Sequence, residues 1–443
     1  MKPSFGRNIV VSLFGASHAP AVGVVIDGFP RGLEIDFAAL GAFLRRRAPG
    51  NTPWSSARHE PDGPEFFSGL DGSVTNGRRI KAAIRNRDIR SGDYAKFREI
   101  PRPGHADYTA YVKYGEIPAG GGQFSGRMTA PLCIAGGLCL QFLARHGITL
   151  RARAKAIGRV TDTSPFTEDV SGKPFPASGG EAATRMIAEI NRSRENGDSV
   201  GGVVECEVLG LAAGLGGPLF DGMEGRLSEI LFAIPAVKGV EFGAGFAAAA
   251  MTGAENNDPF AFRNGKVITT TNNCGGLLGG ITTGMPLVFR VAIKPTPSIA
   301  KTQQSVNLAT GEAATLDVEG RHDPCIVPRA VPCVEAAAAL AVADALLDPP
   351  ALRKGEEANL TTYRRQLDQL DAQLIHLFEE RMETVSAIGA YKRTHGLAPL
   401  DARREAEKLD AVAAQLPQEL AAYGRGLFKN IMDLSKDYQA NGK

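Results

Sequence analysis

Three things are scarce in this chain of 443 residues, and each scarcity removes a class of function. Charge of one sign is scarce: 50 lysines and arginines face 48 aspartates and glutamates, a formal net charge of +2. No overall field therefore points to nucleic acid or to an anionic membrane surface, and any preference for anionic ligands is local. Cysteine is sparse and unpatterned. Cys133, Cys139, Cys206, Cys274, Cys325 and Cys333 form no C-x-x-C pair, which favours reduced, mostly buried thiols in a cytoplasmic protein and no metal site. Long apolar runs are missing too. The most apolar windows, residues 130–144 and 336–347, are shorter than the ~20 residues needed to cross a bilayer, and both read as buried helices. The opening MKPSFGRNIVVSLFGASH lacks a long apolar core with a small-residue cleavage site, so no signal peptide is expected.

What is present divides the chain in two. Only six of the 52 glycines lie after Leu352, so a turn-rich first part is followed by a helical last part. The join LLDPPALRKGEEANL has a double proline and then a charged run, the composition of an exposed linker. We expect a large domain over residues 1–349, a linker over 350–359 and a helical domain over 360–443. In the tail Leu367, Leu370, Leu374, Leu377, Phe378, Val385 and Ile388 recur at three- and four-residue steps, the signature of a long amphipathic helix. Gly396 and Pro399 end it, Asp401 is placed to cap a second short helix, and Pro417 opens a third that runs to about Gln439.

Before the linker, VVSLF, GVVIDG, VGGVVECEVLGL and GMPLVFRVAIK read as strands. Helices are expected over 33–47, 130–145, 181–196, 224–232 and 334–347. Strands and helices do not alternate in regular βαβ units, so the expected class is α+β, a layered domain with a three-helix all-α unit after it.

Several polar clusters interrupt this pattern. RRRAPG (Arg45 to Gly50) follows a helix, where its cations equally suit the helix dipole. RPGHADY (Arg102 to Tyr108) sets an arginine, a histidine and an aspartate in one loop, and simple turn chemistry is the competing reading. NNCGGLLGG (Asn272 to Gly280) allows backbone N–H groups to approach an anion, although it is not G-x-G-x-x-G. KPTPS (Lys294 to Ser298) combines a cation, two prolines and two hydroxyls, and GRHDP (Gly320 to Pro324) sets Arg321, His322 and Asp323 in a row. With LFGASHAP, where Ser17 and His18 are neighbours, their co-occurrence describes a domain that holds an acidic, phosphorylated ligand beside proton donors.

The order and text of LFGASHAPAVGVVIDGFPRG, RRRAPG, RPGHADYTAYVKYG, FSGRMTAPL, GDSVGG, IPAVKGVEFGAGF, NNCGGLLGGITTGMP, KPTPSIAKTQQ and GRHDPCIVPRAVP closely resemble the chorismate synthase family, over roughly residues 4–347. The resemblance implies a β-α-β sandwich and a 1,4-anti elimination of phosphate from 5-enolpyruvylshikimate-3-phosphate, with reduced FMN as cofactor. It implies that His18 and His105 are the catalytic histidines and that Ser17 with Asp323 forms a proton relay to the flavin. FMN contacts carry over to Ser125, Pro235, Ala236, Gly279, Lys294, Pro295, Thr296, Pro297, Ser298 and Arg321. Arg46, Arg47 and Arg127 are placed as substrate cations. Arg47 also matches the position associated with NADPH, while many members receive reduced flavin from an external flavin reductase. The chain departs from the family where G-E-S-H-G stands as Gly15-Ala16-Ser17-His18-Ala19 and where Gln123 replaces a basic residue or histidine.

In the tail, Arg381 and Lys392 are 11 residues apart, within about 20° on a helical wheel and ~16 Å along the axis, so their arms can converge on a small dicarboxylate. Arg364 lies about 42 Å before Lys392 by the same rise and reaches that ligand only from a partner chain. From about Leu360 to Gln439 the tail resembles the small all-helical chorismate mutase, an intertwined dimer. That resemblance places Arg364, Arg381, Lys392, Asp401, Arg404, Glu405, Ser435 and Gln439 on ligand-binding positions, with Arg364, Arg381 and Arg404 suited to the carboxylates, Lys392 and Gln439 to the ether oxygen, and Arg381, Lys392 and Gln439 as the catalytic candidates.

The combined reading is a cytoplasmic bifunctional enzyme, acting on small-molecule substrates, that makes chorismate and rearranges it to prephenate. It is assembled as a homotetramer or as a homodimer with intertwined tails. The alternative is an active synthase whose tail is a non-catalytic chorismate sensor or dimerisation module. A third reading is a flavin-binding protein without synthase activity.

Overall fold

Alternation decides the first sheet. Along Ala21–Asp27 the side chains of Val22, Val24 and Ile26 are fully buried, because successive strand residues point to opposite faces and one face is covered. This strand pairs antiparallel with Val10–Gly15 on one side and Ile80–Arg85 on the other, in register Leu13 to Val24 and Val24 to Ala82. Ser4–Phe5 and Glu65–Ser68 complete five strands. The second sheet runs Val237–Phe242, Leu287–Ile293, Gly202–Leu209, Thr149–Ile157, Val160–Thr161, also antiparallel. Its inner face carries Val204, Cys206, Phe289 and Val291. The opposite face carries ion pairs, among them Arg153 to Glu205 and Arg290 to Glu241, each at 2.6 Å.

The computed structural model describes residues 4–50, 52, 54, 60–88, 98–318, 323–349, 359–398 and 402–440. Between the two sheets lie helices Thr129–Arg145 and Val327–Leu346, both buried along most of their length, flanked by Phe37–Arg47 and Met223–Phe232. One continuous apolar core joins both sheets to these helices, which makes the unit a β-α-β sandwich. Residues 126–145 are, contrary to the apolar windows read above, long and apolar enough to cross a membrane, yet 83% of that stretch is buried inside the protein. It is a core helix clad by sheet and helix on every side.

Local signals set the helix ends. Asp36 caps Phe37–Arg47, accepting a hydrogen bond from Ala39 N at 2.9 Å, which starts that helix four residues later than the 33–47 expected. Helix Val327–Leu346 starts seven residues before the expected Val334. Pro328 sits in its first turn, where a missing N–H costs nothing, and Pro332 is accommodated inside it. Asp344 near its far end pins the N-terminal loop, accepting from the backbone N–H groups of Arg7, Asn8 and Ile9 at 2.7–2.9 Å.

The chain forms two compact units, one over Lys2–Asp348 and one over Pro349–Lys443. The second consists of helices Leu360–Thr394, Ala402–Ala414 and Gln418–Ala440. Asn359 caps the first, accepting from Thr362 N at 3.0 Å.

Candidate active site

A cavity of about 720 Å³ opens in the sandwich unit, within the size range of small-molecule sites. His105, Arg47, Arg127, Ser125, Pro235, Ala236, Lys294, Thr296, Pro297, Ser298 and Asp323 line it, with Arg102, Lys238 and Arg329. Sequence positions from 47 to 333 meet here because the connections leave the strand and helix ends on one side of the core.

His105 is held from two directions. Its Nδ1 lies 2.5 Å from Asp107 Oδ1, and Arg102 Nη2 lies 3.2–3.3 Å from the ring nitrogens. Arg102 also donates through Nε to Asp107 Oδ2 at 2.7 Å and through Nη1 to Ser298 Oγ at 3.2 Å. Burial pushes the Asp107 carboxyl up, but hydrogen bonds from His105 and Arg102 hold it well below the usual carboxylate range. The loop RPGHADY thus forms a charge-paired mount for one imidazole.

Asp62 does the same for two guanidiniums. Arg47 Nη1 donates to Asp62 Oδ2 at 2.7 Å, and Arg127 Nη1 donates to Asp62 Oδ1. Arg47 is fixed further by Nε to Thr129 Oγ1 at 3.0 Å, and Arg127 by Nε to Asn86 Oδ1 at 2.8 Å. Burial favours the neutral Asp62 acid, yet the two guanidiniums outweigh it and keep the carboxyl below its ordinary range. Asp62 adopts φ +49°, a conformation aspartate tolerates better than most residues. Neither Asp62 nor Glu60, 4.0 Å from Arg127, was singled out by sequence reading. The run E-P-D at residues 60–62 was the available signal.

The glycines of Ala119–Phe124 set the position of His18. Gly120, Gly121 and Gly122 all have positive φ. A Cβ on Gly120 would lie 2.6 Å from His18 Cε1, and one on Gly121 would lie 3.1 Å from His105 Cε1. Both imidazoles therefore rest against consecutive glycines of one segment. Ser17 is buried behind it, donating its backbone N–H to Gly122 O at 3.1 Å. Asp323 is on the cavity wall, where it is ion-paired with Arg329.

On the far wall Lys294 donates to Gly104 O, and its ammonium is held below its usual range by burial and by the facing Lys238. Thr296 Oγ1 is buried there without a hydrogen-bond partner. Ala236 has φ +75°, a strained conformation of the kind found at ligand clamps, and its carbonyl accepts from Lys294 N at 3.0 Å. Cations, an unpartnered hydroxyl and positive-φ glycines around one cavity suit a phosphorylated ligand.

Five expected residues are not among those lining the cavity: Ser17 and His18, which pack against the glycine segment, and Arg46, Gly279 and Pro295. Arg46 points instead to Glu335, Nη1 to Oε2 at 2.6 Å and Nη2 to Oε1 at 2.9 Å, because successive helix residues diverge by about 100°. Gly279 sits in the turn between Leu277–Leu278 and Ile281–Thr282, and Pro295 is exposed beside the wall. Arg321 and His322 lie outside the described residues. No group of three or more potential metal ligands occurs among the described residues.

In the tail unit, Arg381 Nη1 donates to Ser435 Oγ, and Gln439 Nε2 donates to Val385 O at 2.8 Å. Gly389 makes room for Gln439, whose Cγ would lie 3.3 Å from a Cβ there. Arg381, Ser435 and Gln439 thus meet where helices Leu360–Thr394 and Gln418–Ala440 face each other. Glu405 is ion-paired with Lys436 at 2.9 Å. Lys392 is half-buried near the end of the long helix, while Arg404 and Arg364 are exposed. Asp401 lies outside the described residues.

The family model described as chorismate synthase matches residues 9–347, and the one described as chorismate mutase type II matches residues 363–440. A chorismate synthase of Lancefieldella parvula is 42% identical over 377 residues, covering 80% of this chain and 99% of that protein. One of Thermococcus kodakarensis is 46% identical over 345 residues, covering 77% and 97%. A solved structure described as a chorismate synthase superposes with a TM-score of 0.61 at 27% identity, covering 83% of this chain and 98% of that one.

Proposed function

The chain belongs to the chorismate synthase family and carries a chorismate mutase type II domain, and from that premise we propose that it makes chorismate in its first unit and prephenate in its second. The first reaction is loss of phosphate and a proton from 5-enolpyruvylshikimate-3-phosphate. The observation that carries it is one cavity in which His105 stands on a buried Asp107 while Arg47 and Arg127 share the single carboxylate of Asp62.

That arrangement suits departure of an anion. Two guanidiniums fixed by one carboxylate retain net positive charge toward the cavity, where a leaving phosphate dianion needs preorganised donors. His105 can protonate the phosphate as it leaves, and Asp107 and Arg102 keep its ring from turning away. Lys294, Lys238, Thr296 and Ser298, with Ser125, Pro235 and Ala236, would hold the flavin, the cations serving its phosphate. When bound, reduced FMN supplies the electron density that C–O cleavage needs, with no net redox change over the turnover. NADPH or an external flavin reductase supplies the reduced state. Arg321, Gly279 and the Ser17–Asp323 relay belong to the same reading.

In the tail no nucleophile is needed, because the rearrangement is pericyclic. Arg381, Arg404 and a partner chain's copy of Arg364 hold the carboxylates, Lys392 and Gln439 the ether oxygen, and Glu405 the ring hydroxyl, with Ser435 and Asp401 completing the site. The long helix supports the dimer this requires: Leu360, Tyr363, Leu367, Leu370, Leu374 and Leu377 are each more than half exposed in one chain. An apolar stripe of that length on a helix is covered in a stable protein, and a second copy provides a matching stripe. We place the assembled homo-oligomer in the cytoplasm, where its six free thiols stay reduced.

The test is an anaerobic assay of the full chain with reduced FMN and 5-enolpyruvylshikimate-3-phosphate, following phosphate, chorismate and prephenate. Stoichiometric phosphate with chorismate that passes on to prephenate is expected. Absence of phosphate release refutes the synthase reading, and accumulation of chorismate alone refutes the mutase reading.

A further inference from the structure

Helices Thr129–Arg145 and Val327–Leu346 touch backbone to backbone where Gly136 meets Ala336. A Cβ on Gly136 would stand 2.3 Å from Ala336 Cα, so only glycine admits this contact without parting the helices. Three residues earlier on each helix stand Cys133 and Cys333, and the same approach brings their sulfurs to 3.9 Å. Both thiols are free. Cys133 is wholly enclosed, whereas Cys333 is 3% exposed and its residue borders the 720 Å³ cavity. Of the two residues only Cys333 borders the cavity, so a small solute there approaches the pair from the Cys333 side.

We propose that Cys333, which borders the cavity, and Cys133 beside it are an oxidisable thiol pair, in which a peroxide oxidises Cys333 and Cys133 resolves it to a disulfide. The Cys333 thiolate attacks one peroxide oxygen, the O–O bond breaks, and hydroxide leaves, giving a sulfenic acid. The Cys133 sulfur then attacks the Cys333 sulfur, its proton passes to the departing hydroxyl, and water leaves. In sum two thiols and one hydrogen peroxide give one disulfide and two waters.

The surroundings divide the roles. The Cys133 hydrogen bond lowers the Cys333 thiol's pKa against the effect of burial, with help from Arg47, Thr129 and Arg329, whereas burial pushes Cys133 well up. Cys333 Sγ also donates to Arg329 O at 3.3 Å, so Cys333 gives up that proton before it attacks, while Cys133 keeps its own until it resolves the sulfenic acid. Closing the bond requires the sulfurs to come from 3.9 Å to about 2.05 Å. That shifts the turns that bear the two cysteines, each four residues beyond a residue that holds Arg47: Thr129, a hydrogen-bond partner of Arg47, and Arg329, whose Nε donates to Arg47 O at 2.9 Å. Oxidation therefore slows the first reaction, a consequence that rests on the function proposed above.

The remaining cysteines provide an internal standard. Cys274 is more exposed than Cys333, but burial and the Asp258 carboxylate raise its thiol. The experiment is stepwise addition of hydrogen peroxide to the reduced full chain without flavin or substrate, followed by alkylation and peptide mapping. A 133–333 cross-linked peptide, reversed by dithiothreitol and formed at least ~10-fold faster than any change at Cys274, is expected. In Cys133→Ala, Cys333 stops at a dimedone-reactive sulfenic acid, and in Cys333→Ser, Cys133 stays reduced. Modification of Cys274 first, or oxidation of Cys133 in Cys333→Ser, overturns the pair. The wild-type map decides even if a variant does not fold. Because it uses no substrate, its failure is separate from failure of the synthase reading. A complete cross-link that leaves phosphate release unchanged overturns the effect on turnover.

Discussion

His105 Nδ1 and Asp107 Oδ1 lie 2.5 Å apart, and the carboxylate, wholly buried at the start of helix Asp107–Tyr114, also receives the Arg102 guanidinium. One acid thus fixes an imidazole and a cation that both line the 720 Å³ cavity. Removing one partner from such a buried group leaves the others uncompensated.

Asp107→Asn is expected to destabilise the first unit by about 3–5 kcal/mol and to lower phosphate release by about 10²-fold as His105 loses its mount. The sign of the pH effect follows from the depressed folded pKa of Asp107. Its contribution to stability is complete above the unfolded value of about 3.9 and is lost as pH falls below that toward the lower folded value. Urea unfolding from neutral to acid pH will show a shallower acid limb in Asp107→Asn than in the wild type.

Gly120→Ala places a methyl group 2.6 Å from the His18 ring at a backbone φ of +60°. The ring must move, and synthase turnover is expected to fall by about 10²–10⁴, as for loss of an acid or base. Gly172→Ala, with nothing within 4 Å of its Cβ, serves as the control, and mutase activity should stay unchanged in both.

Arg46 and Arg47 are adjacent in sequence and separable by experiment. Arg46→Ala strands buried Glu335, and a loss near the lower end of about 3–5 kcal/mol is expected because Arg46 is partly exposed. Its KM for the phosphorylated substrate should stay within about twofold. Arg47→Ala should raise that KM at least ~10-fold, since charged hydrogen bonds contribute about 1.5–3 kcal/mol. Equal KM effects from both would contradict the assignment of Arg46 to Glu335.

The tail offers a fourth comparison. Leu370→Glu with Leu374→Glu puts two charges on the exposed stripe of the long helix and should dissociate the tail pairing in sedimentation, removing prephenate formation while phosphate release continues. Arg381→Ala should cut mutase turnover by at least ~10² without changing the sedimentation of the chain.

Much of this was readable in advance where signals are local. The helix expected over 181–196 runs Gly180–Glu195, and the one over 224–232 runs Met223–Phe232, because apolar period and flanking glycines act within a few residues. Strands Ile80–Arg85, Thr149–Ile157 and Val237–Phe242 were not singled out. The second reads TLRARAKAI, whose charges sit on the outer face and pair across strands with Glu205 and Glu207. Its partners are more than 50 positions away.

Residue order alone establishes which chemical groups this protein owns, where the glycine-rich unit gives way to helices, and which stretches alternate or recur at helical steps. Those properties are local, set by backbone sterics and by the spacing of apolar side chains. Packing in three dimensions sets which neighbours act together: Arg47 turns to Asp62 and the cavity while Arg46 turns to Glu335, and Asp62 serves two arginines. It also brings Cys133 to Cys333. Each pairing depends on how helices and loops distant in sequence pack around one core, and a buried charge or thiol takes whichever partner that packing brings within a few ångströms.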